Sequence, residues 1–266
     1  MTTEKLEELN QILNLRKAGF ILKDYKFKFE NSVLLYDGKK ERHPCISLSE
    51  DLLKKGSEEI CDYLEDVYKI TKTIYPDTID KDYIHNHVSI QFVDKSVEAT
   101  FKKDNILSVA YLDVIAVFVL IPESNFNSAM PITIDMLLEA KMNFPEIMAR
   151  ALKNMDEHVK VGVVSEAVYK DGTKMPDMYA ITNDTAYMGA ASMLCVNALR
   201  QIVQRFGDRF LVIPISQHGV IAMSYEECKD NIDLLKNILS FLSLDEKGSF
   251  LSNNIYLWNK DHYQIV

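Results

Sequence analysis

The chain has 266 residues, 47% of them hydrophobic and 26% charged, the proportions of a globular protein with apolar material for one or two cored domains. Its 39 acidic residues outnumber 30 basic ones for a net charge of -9, which opposes a sequence-independent grip on phosphate backbones, so no nucleic-acid partner is expected. No apolar run approaches the ~20 residues of a spanning helix, and the opening MTTEKLEELNQ lacks an apolar signal core; no membrane is expected, and the expected compartment is cytoplasmic.

From the start, Leu6, Leu9, Ile12 or Leu13, and Leu15 at helical spacing predict a helix over residues 3–18, with Thr3 as its cap and Gly19 as its end. Residues 25–29 (YKFKF) alternate aromatic and basic side chains at period two, the mark of a half-buried strand. A turn at Asn31 and Ser32 leads to a strand over 33–36, and after Asp37-Gly38 another is expected around 45–48, completing a small antiparallel meander. The lysine–aromatic alternation is what any sheet with one solvated face requires. A helical region over 49–73 breaks at Gly56 and restarts at Ser57, with Glu58 and Glu59 in its first turn and Ile60, Leu64, Val67 and Tyr68 facing inward. The break at Tyr75-Pro76-Asp77 and the segment to Lys81 read as a linker. Residues 1–76 are therefore expected as an N-terminal helix and β-meander subdomain and 77–266 as the main domain, with one continuous domain as the alternative.

Strands are next expected over 88–93 and 113–121, the second apolar on both faces, with a short helix over 95–102. A strand over 128–134, a helix over 136–142 capped by Asp135, and a helix reaching about residue 155 with Pro145 in its first turn follow. The strongest local signals come after them. A strand over 178–181 stops at the turn Thr182-Asn183-Asp184. Ala191, Leu194, Cys195, Ala198, Leu199, Ile202 and Phe206 then recur at three- and four-residue steps, an amphipathic helix over 188–206 closed by Gly207. Residues 209–215 (RFLVIPI) form a buried strand, with Pro214 placed near its end or on an edge. Residues 216–219 are a turn, and 220–223 return as a hairpin partner. Because the strands arrive in hairpins without regular βα alternation, the fold class is α+β: a mixed or mostly antiparallel sheet flanked by helices, with a small N-terminal helix-plus-meander subdomain.

The order Tyr179-x-x-Thr182-Asn183, then Gly189-Ala190-Ala191, an amphipathic helix and an apolar strand ending in Pro214-x-Ser216-x-His218 resembles the C-terminal signature of an uncharacterised bacterial domain-of-unknown-function (DUF) family common in gut Firmicutes. That family's loop reads roughly Pro-Ser-Ser-x-His-Glu-Val. His43 to Leu48, Gly56 with Ile60 and Tyr68, and Leu112 to Val117 resemble further pieces in the same order. The resemblance is loose over most of the chain and close over residues 179–220. It implies no activity or cofactor, and this chain carries Ile215 where the loop has its first Ser and Gly219 where it has Glu, so chemistry resting on that Glu has no counterpart here.

Residues that could carry chemistry are few. Cys45, Cys61, Cys195 and Cys228 form no CxxC pair, which gives little ground for a zinc site and reads as reduced thiols, with Cys61 and Cys195 expected buried on helix faces; with no GxGxxG or P-loop pattern either, no cofactor is expected. Ser216 and His218 lie in a loop after an apolar strand, where a Ser–His pair would need side chains within ~3 Å and an acid to orient the ring; Asp113, at the mouth of the apolar strand, is the candidate acid, and it needs a partner such as His218 or an arginine wherever it is buried. No GxSxG elbow accompanies them. His85 and His87, just before the strand over 88–93, would share one face if the segment is extended, near Asp80 and Asp82, and are the weak candidate metal ligands. A structural role leads for every one of these residues. The function expected is that of a non-enzymatic cytosolic domain that binds another protein; the alternative is a small hydrolase or metal-assisted enzyme centred on His218.

Overall fold

The computed structural model describes all residues except 1, 25–31, 39–44, 75, 77, 123–128, 165–176 and 246–250. The chain divides into two compact units, Met1–Ile79 and Asp80–Val266.

In the first unit, helix α1 (Thr3–Leu15) precedes strands β1 (Ile21–Asp24), β2 (Ser32–Tyr36) and β3 (Cys45–Ser47), then α2 (Glu50–Leu53) and α3 (Ser57–Ile74). The strands form an antiparallel sheet in the order β1-β2-β3. Leu9 and Leu13 of α1, Leu22, Val33 and Leu35 of the sheet, and Ile60, Leu64 and Tyr68 of α3 close one apolar core. The cap of α1 is Thr2, whose Oγ accepts from Lys5 N at 3.2 Å, so the helix begins at Thr3 and ends before the expected Ala18. Ser49 caps α2, and the break at Gly56 falls where expected. β1 precedes the aromatic–basic stretch 25–29, which lies outside the described residues, as do residues 75 and 77 of the expected linker.

The second unit begins with α4 (Lys81–His87) and continues through β4 (Val88–Asp94), α5 (Glu98–Lys103), β5 (Ser108–Tyr111), β6 (Val114–Leu120), β7 (Met130–Pro131), α6 (Ile134–Glu139) and α7 (Phe144–His158). β4, β6 and β5 pair antiparallel in that order, with β7 on β6. All seven residues of β6 are buried, as its unbroken apolar run demands. Two expectations shift here. Of the strand expected over 128–134, residue 128 lies outside the described residues and the strand observed is Met130–Pro131, and Thr133 caps α6 through Met136 N at 3.2 Å, while Asp135 lies within the first turn and takes Asn105 Nδ2 at 3.0 Å. Asn143 caps α7 just before Pro145.

The larger sheet of this unit is built from β8 (Val159–Val163), β9 (Met178–Asn183), β10 (Arg209–Ser216), β11 (Gly219–Ser224), β12 (Tyr256–Asn259) and β13 (His262–Ile265), antiparallel throughout in the order β13-β12-β10-β11-β9-β8. Between β9 and β10 runs α8 (Val196–Phe206), and after β11 come α9 (Tyr225–Cys228) and α10 (Ile232–Asp245). The single helix expected over 188–206 is in fact a 3₁₀ segment, Ala190–Leu194, and α8, parted at the extended Cys195. The first free amides of α8 find a partner outside it, Asp156 Oδ1 accepting from Asn197 N at 2.7 Å. Pro214 lies near the end of β10, one of its two expected places, where the β10–β11 register shifts between Ile213 and Ser216. Trp258 of β12 stacks on Phe210 and meets Tyr263 edge-on, with ring centroids 6.0 and 4.8 Å away. Helices and antiparallel sheets together make the α+β class expected from the sequence. Among the described residues no helix is long and apolar enough to cross a membrane.

Candidate functional site

β10 and β11 are joined by the tight turn Gln217-His218, closed by the pair Ser216↔Gly219. Ser216 Oγ accepts from His218 N at 3.1 Å, so the hydroxyl stabilises the turn from within. The loop that leaves β9 grips this turn from the side. Thr182 Oγ1 donates to His218 O at 2.6 Å, Ala190 N to Gln217 O at 3.1 Å, and Met188 N to His218 Nδ1 at 3.2 Å. Asn183 organises the loop itself, its Oδ1 accepting from Tyr187 N at 3.2 Å and its Nδ2 donating to Tyr187 O at 2.8 Å. Ala186 and Met188 both take a φ of 52°, a conformation non-glycine residues seldom hold unless their surroundings enforce it. Gly189 lets the two backbones touch: a Cβ there would lie 2.7 Å from Asn183 N and 2.9 Å from His218 O. The Thr182-Asn183, Gly189-Ala190 and Ser216-x-His218 elements, separated in sequence, thus form one clasp.

The clasp fixes the chemistry of His218. A ring nitrogen that accepts a backbone N–H has no proton of its own, so Met188 N–H assigns the neutral ring its proton on Nε2. Nε2 has no partner among the described residues, and the half-buried ring lies under Tyr187, with centroids 5.4 Å apart. Tyr187 is 38% exposed. No bond joins the side chains of Ser216 and His218.

Asp113 is engaged elsewhere. It forms the two-residue turn between β5 and β6 with Leu112, whose φ is 52°. Its carboxylate accepts from Ser252 Oγ and Tyr256 OH, each at 2.5 Å, and from Asn254 Nδ2 at 2.7 Å. The expected partner, His218 or an arginine, is therefore replaced by three neutral donors. These residues escaped the sequence reading, although Ser252, Asn254 and Tyr256 stand at alternate positions and share one face of an extended chain. The third donor, Tyr256, is fully buried, and burial, followed by the bond to Asp113, holds its hydroxyl well above the usual tyrosine range.

The two candidate metal ligands are set apart by helix geometry. His85 and His87 lie in α4, not on a strand, and residues two apart on a helix point to different sides. His85 Nε2 is 3.1 Å from Glu146 Oε1, an oxygen also held by Lys81 Nζ at 2.6 Å. His87 Nδ1 meets Tyr83 O at 2.8 Å while its ring stacks on Tyr83. Asp80 caps the helix through Tyr83 N at 2.8 Å. Among the described residues no three His, Cys, Asp or Glu side chains are grouped to hold a metal ion. The thiols of Cys61 and Cys195 are buried and pushed up to about 11 and about 12, and burial raises Cys228 as well, which leaves little thiolate for reaction at neutral pH.

Residues 49–260 match a family of unknown function (DUF5688). No curated protein and no solved structure matches the chain.

Proposed function

The chain belongs to this DUF5688 family of unknown function, and from that premise we propose that it is a non-enzymatic protein-binding domain whose contact surface centres on the clasped turn and Tyr187. The observation that carries this reading is the occupation of the groups a hydrolase would use. The lone pair of His218 Nδ1 is taken by Met188 N–H, and Ser216 Oγ takes the His218 amide. A general base needs a free lone pair within reach of its nucleophile; here that lone pair is consumed inside the loop and the other nitrogen carries the proton. An N–H donor beside an exposed tyrosine, both held on a backbone that is already ordered, equips a surface for recognition at small entropic cost. The acceptor it suits is a carbonyl or carboxylate of a partner protein. We place this role in the cytoplasm of a bacterium, where free buried thiols stay reduced.

Tyr187→Ser tests it, because the ring stands outside the core. The variant is expected to fold and melt as the parent does and to lose the proteins that the immobilised parent retains from extract of its source cells. Retention of the same proteins by the variant would overturn the reading. So would hydrolysis of an ester, amide or phosphoester that Ser216→Ala abolishes.

A further inference from the structure

The outer edge of β8 offers a second surface, separate from the His218 turn. β8 ends the six-stranded sheet, and among the described residues no strand lies beyond it. Its register with β9 runs unbroken from Val159↔Asn183 to Val163↔Tyr179, and the next amide, Val164 N, donates to Met178 O at 2.9 Å. In an antiparallel ladder the N–H and C=O of one residue point the same way and alternate along the strand. Lys160, Gly162 and Val164 therefore turn their backbone groups to β9, and Val159, Val161 and Val163 turn theirs outward. Edge strands are commonly blunted by a proline, a bulge or a free charge. β8 has no proline and no bulge, its Lys160 Nζ is drawn to Asp184 Oδ1 at 2.9 Å, and Val163 is 64% exposed.

We propose that this edge pairs antiparallel with β8 of a second copy of the chain, about a two-fold axis through Val161. The sequence Val159-Lys-Val-Gly-Val163 is nearly palindromic about that residue. Val161 exchanges both backbone bonds with Val161 of the second copy, and Val159 does so with Val163. Each valine then faces a valine, the β-branched cross-strand pairing that stabilises sheets. Each Lys160 lies opposite a Gly162, around which a Cβ would meet nothing within 4 Å, so like charges are never directly opposed and the long side chain has room. The Asp184 carboxylate of each copy offsets its own Lys160. A two-fold contact requires one patch to complement itself, and this strand does so in sequence, in backbone polarity and in charge.

Sedimentation equilibrium of the full chain across the micromolar range tests the proposal. The parent is expected to show a reversible monomer–dimer equilibrium. Val161→Pro removes only an outward N–H, because the bonds to β9 come from its neighbours; it is expected to keep the parent melting temperature and to weaken dimerisation by about tenfold or more. Val163→Lys, at an exposed position, adds an edge charge and is expected to weaken it likewise, so it decides the matter should the proline variant misfold. A parent that stays monomeric over the whole range overturns the proposal and leaves the edge to some other strand. A dimer that Val163→Lys and a folded Val161→Pro both leave intact overturns it too, by placing the contact elsewhere.

Discussion

A methyl group at Gly189 would come within 2.5 Å of Thr182 Oγ1 as well as meeting backbone atoms of Asn183 and His218, so Gly189→Ala must force the two loops apart. The expected loss is about 3 kcal/mol, from overpacking together with the clasp bonds it strains, read from urea unfolding; an unshifted midpoint would mean the loops are not held together. A second residue-scale effect depends on pH. Burial lifts Tyr111 to about 12 and places Tyr256 and Tyr263 above the usual tyrosine range, Asp113 adding to the rise at Tyr256. Above pH ~10 the unfolded chain loses these protons while the folded chain keeps them, so stability is whole below that pH and falls as pH rises, by about 1.4 kcal/mol per pH unit for each such tyrosine. Tyr256→Phe should cost about 2 kcal/mol at neutral pH and make the alkaline decline shallower; an equally steep decline would show that Tyr256 is not among the groups responsible. The polar residues of the clasp were legible as types in sequence, since Thr-Asn, glycine and histidine each mark a special backbone position. Their meeting was not, because it depends on the β9–β11 register that sets Val220 against Ile181.

At the scale of elements, periodicity revealed what packing enforces and missed what single turns decide. β6 was readable because seven successive buried residues leave no other reading, and the face of α8 because its apolar residues follow the helical repeat. The break at Cys195 left no such trace, as apolar spacing continues through it. Two hairpins place at positive φ a residue that carries no turn signal, Leu112 (φ 52°) between β5 and β6 and Lys260 (φ 64°) between β12 and β13, where glycine or asparagine would have announced them. The helix that holds His85 and His87 was not expected, because at seven residues it is too short to show a clear period. For α8 the structure sharpens the expected sensitivity. Ile202 and Ala198 are fully buried, whereas Leu199 is half-buried. Ile202→Asp should cost roughly 4 kcal/mol or more and Leu199→Asp clearly less, since only the first leaves a charge without water. Thermal melts of both variants check the order, and a reversal would mean the helix is rotated from the face described.

For the whole molecule, the chain's division into Met1–Ile79 and Asp80–Val266 suggests that the second unit contains what it needs to fold. A fragment of residues 80–266 is expected to melt cooperatively and to retain the far-ultraviolet signature of its antiparallel sheets; a broad, non-cooperative melt would show that it depends on the first unit. Family membership was expected from the sequence, and the break at Tyr75-Pro76-Asp77 led to an expected boundary after residue 76, while the chain divides after Ile79. Trp258 supplies an internal reporter. It is the one tryptophan in the chain, its indole N–H is buried away from solvent, and its ring neighbours Phe210 and Tyr263 belong to the same sheet. Its emission should therefore be blue when that sheet is intact and shift red only when the sheet opens, whatever the first unit is doing. Circular dichroism sums the helices of both units, so comparing the two unfolding curves reveals whether the chain comes apart in one step or two.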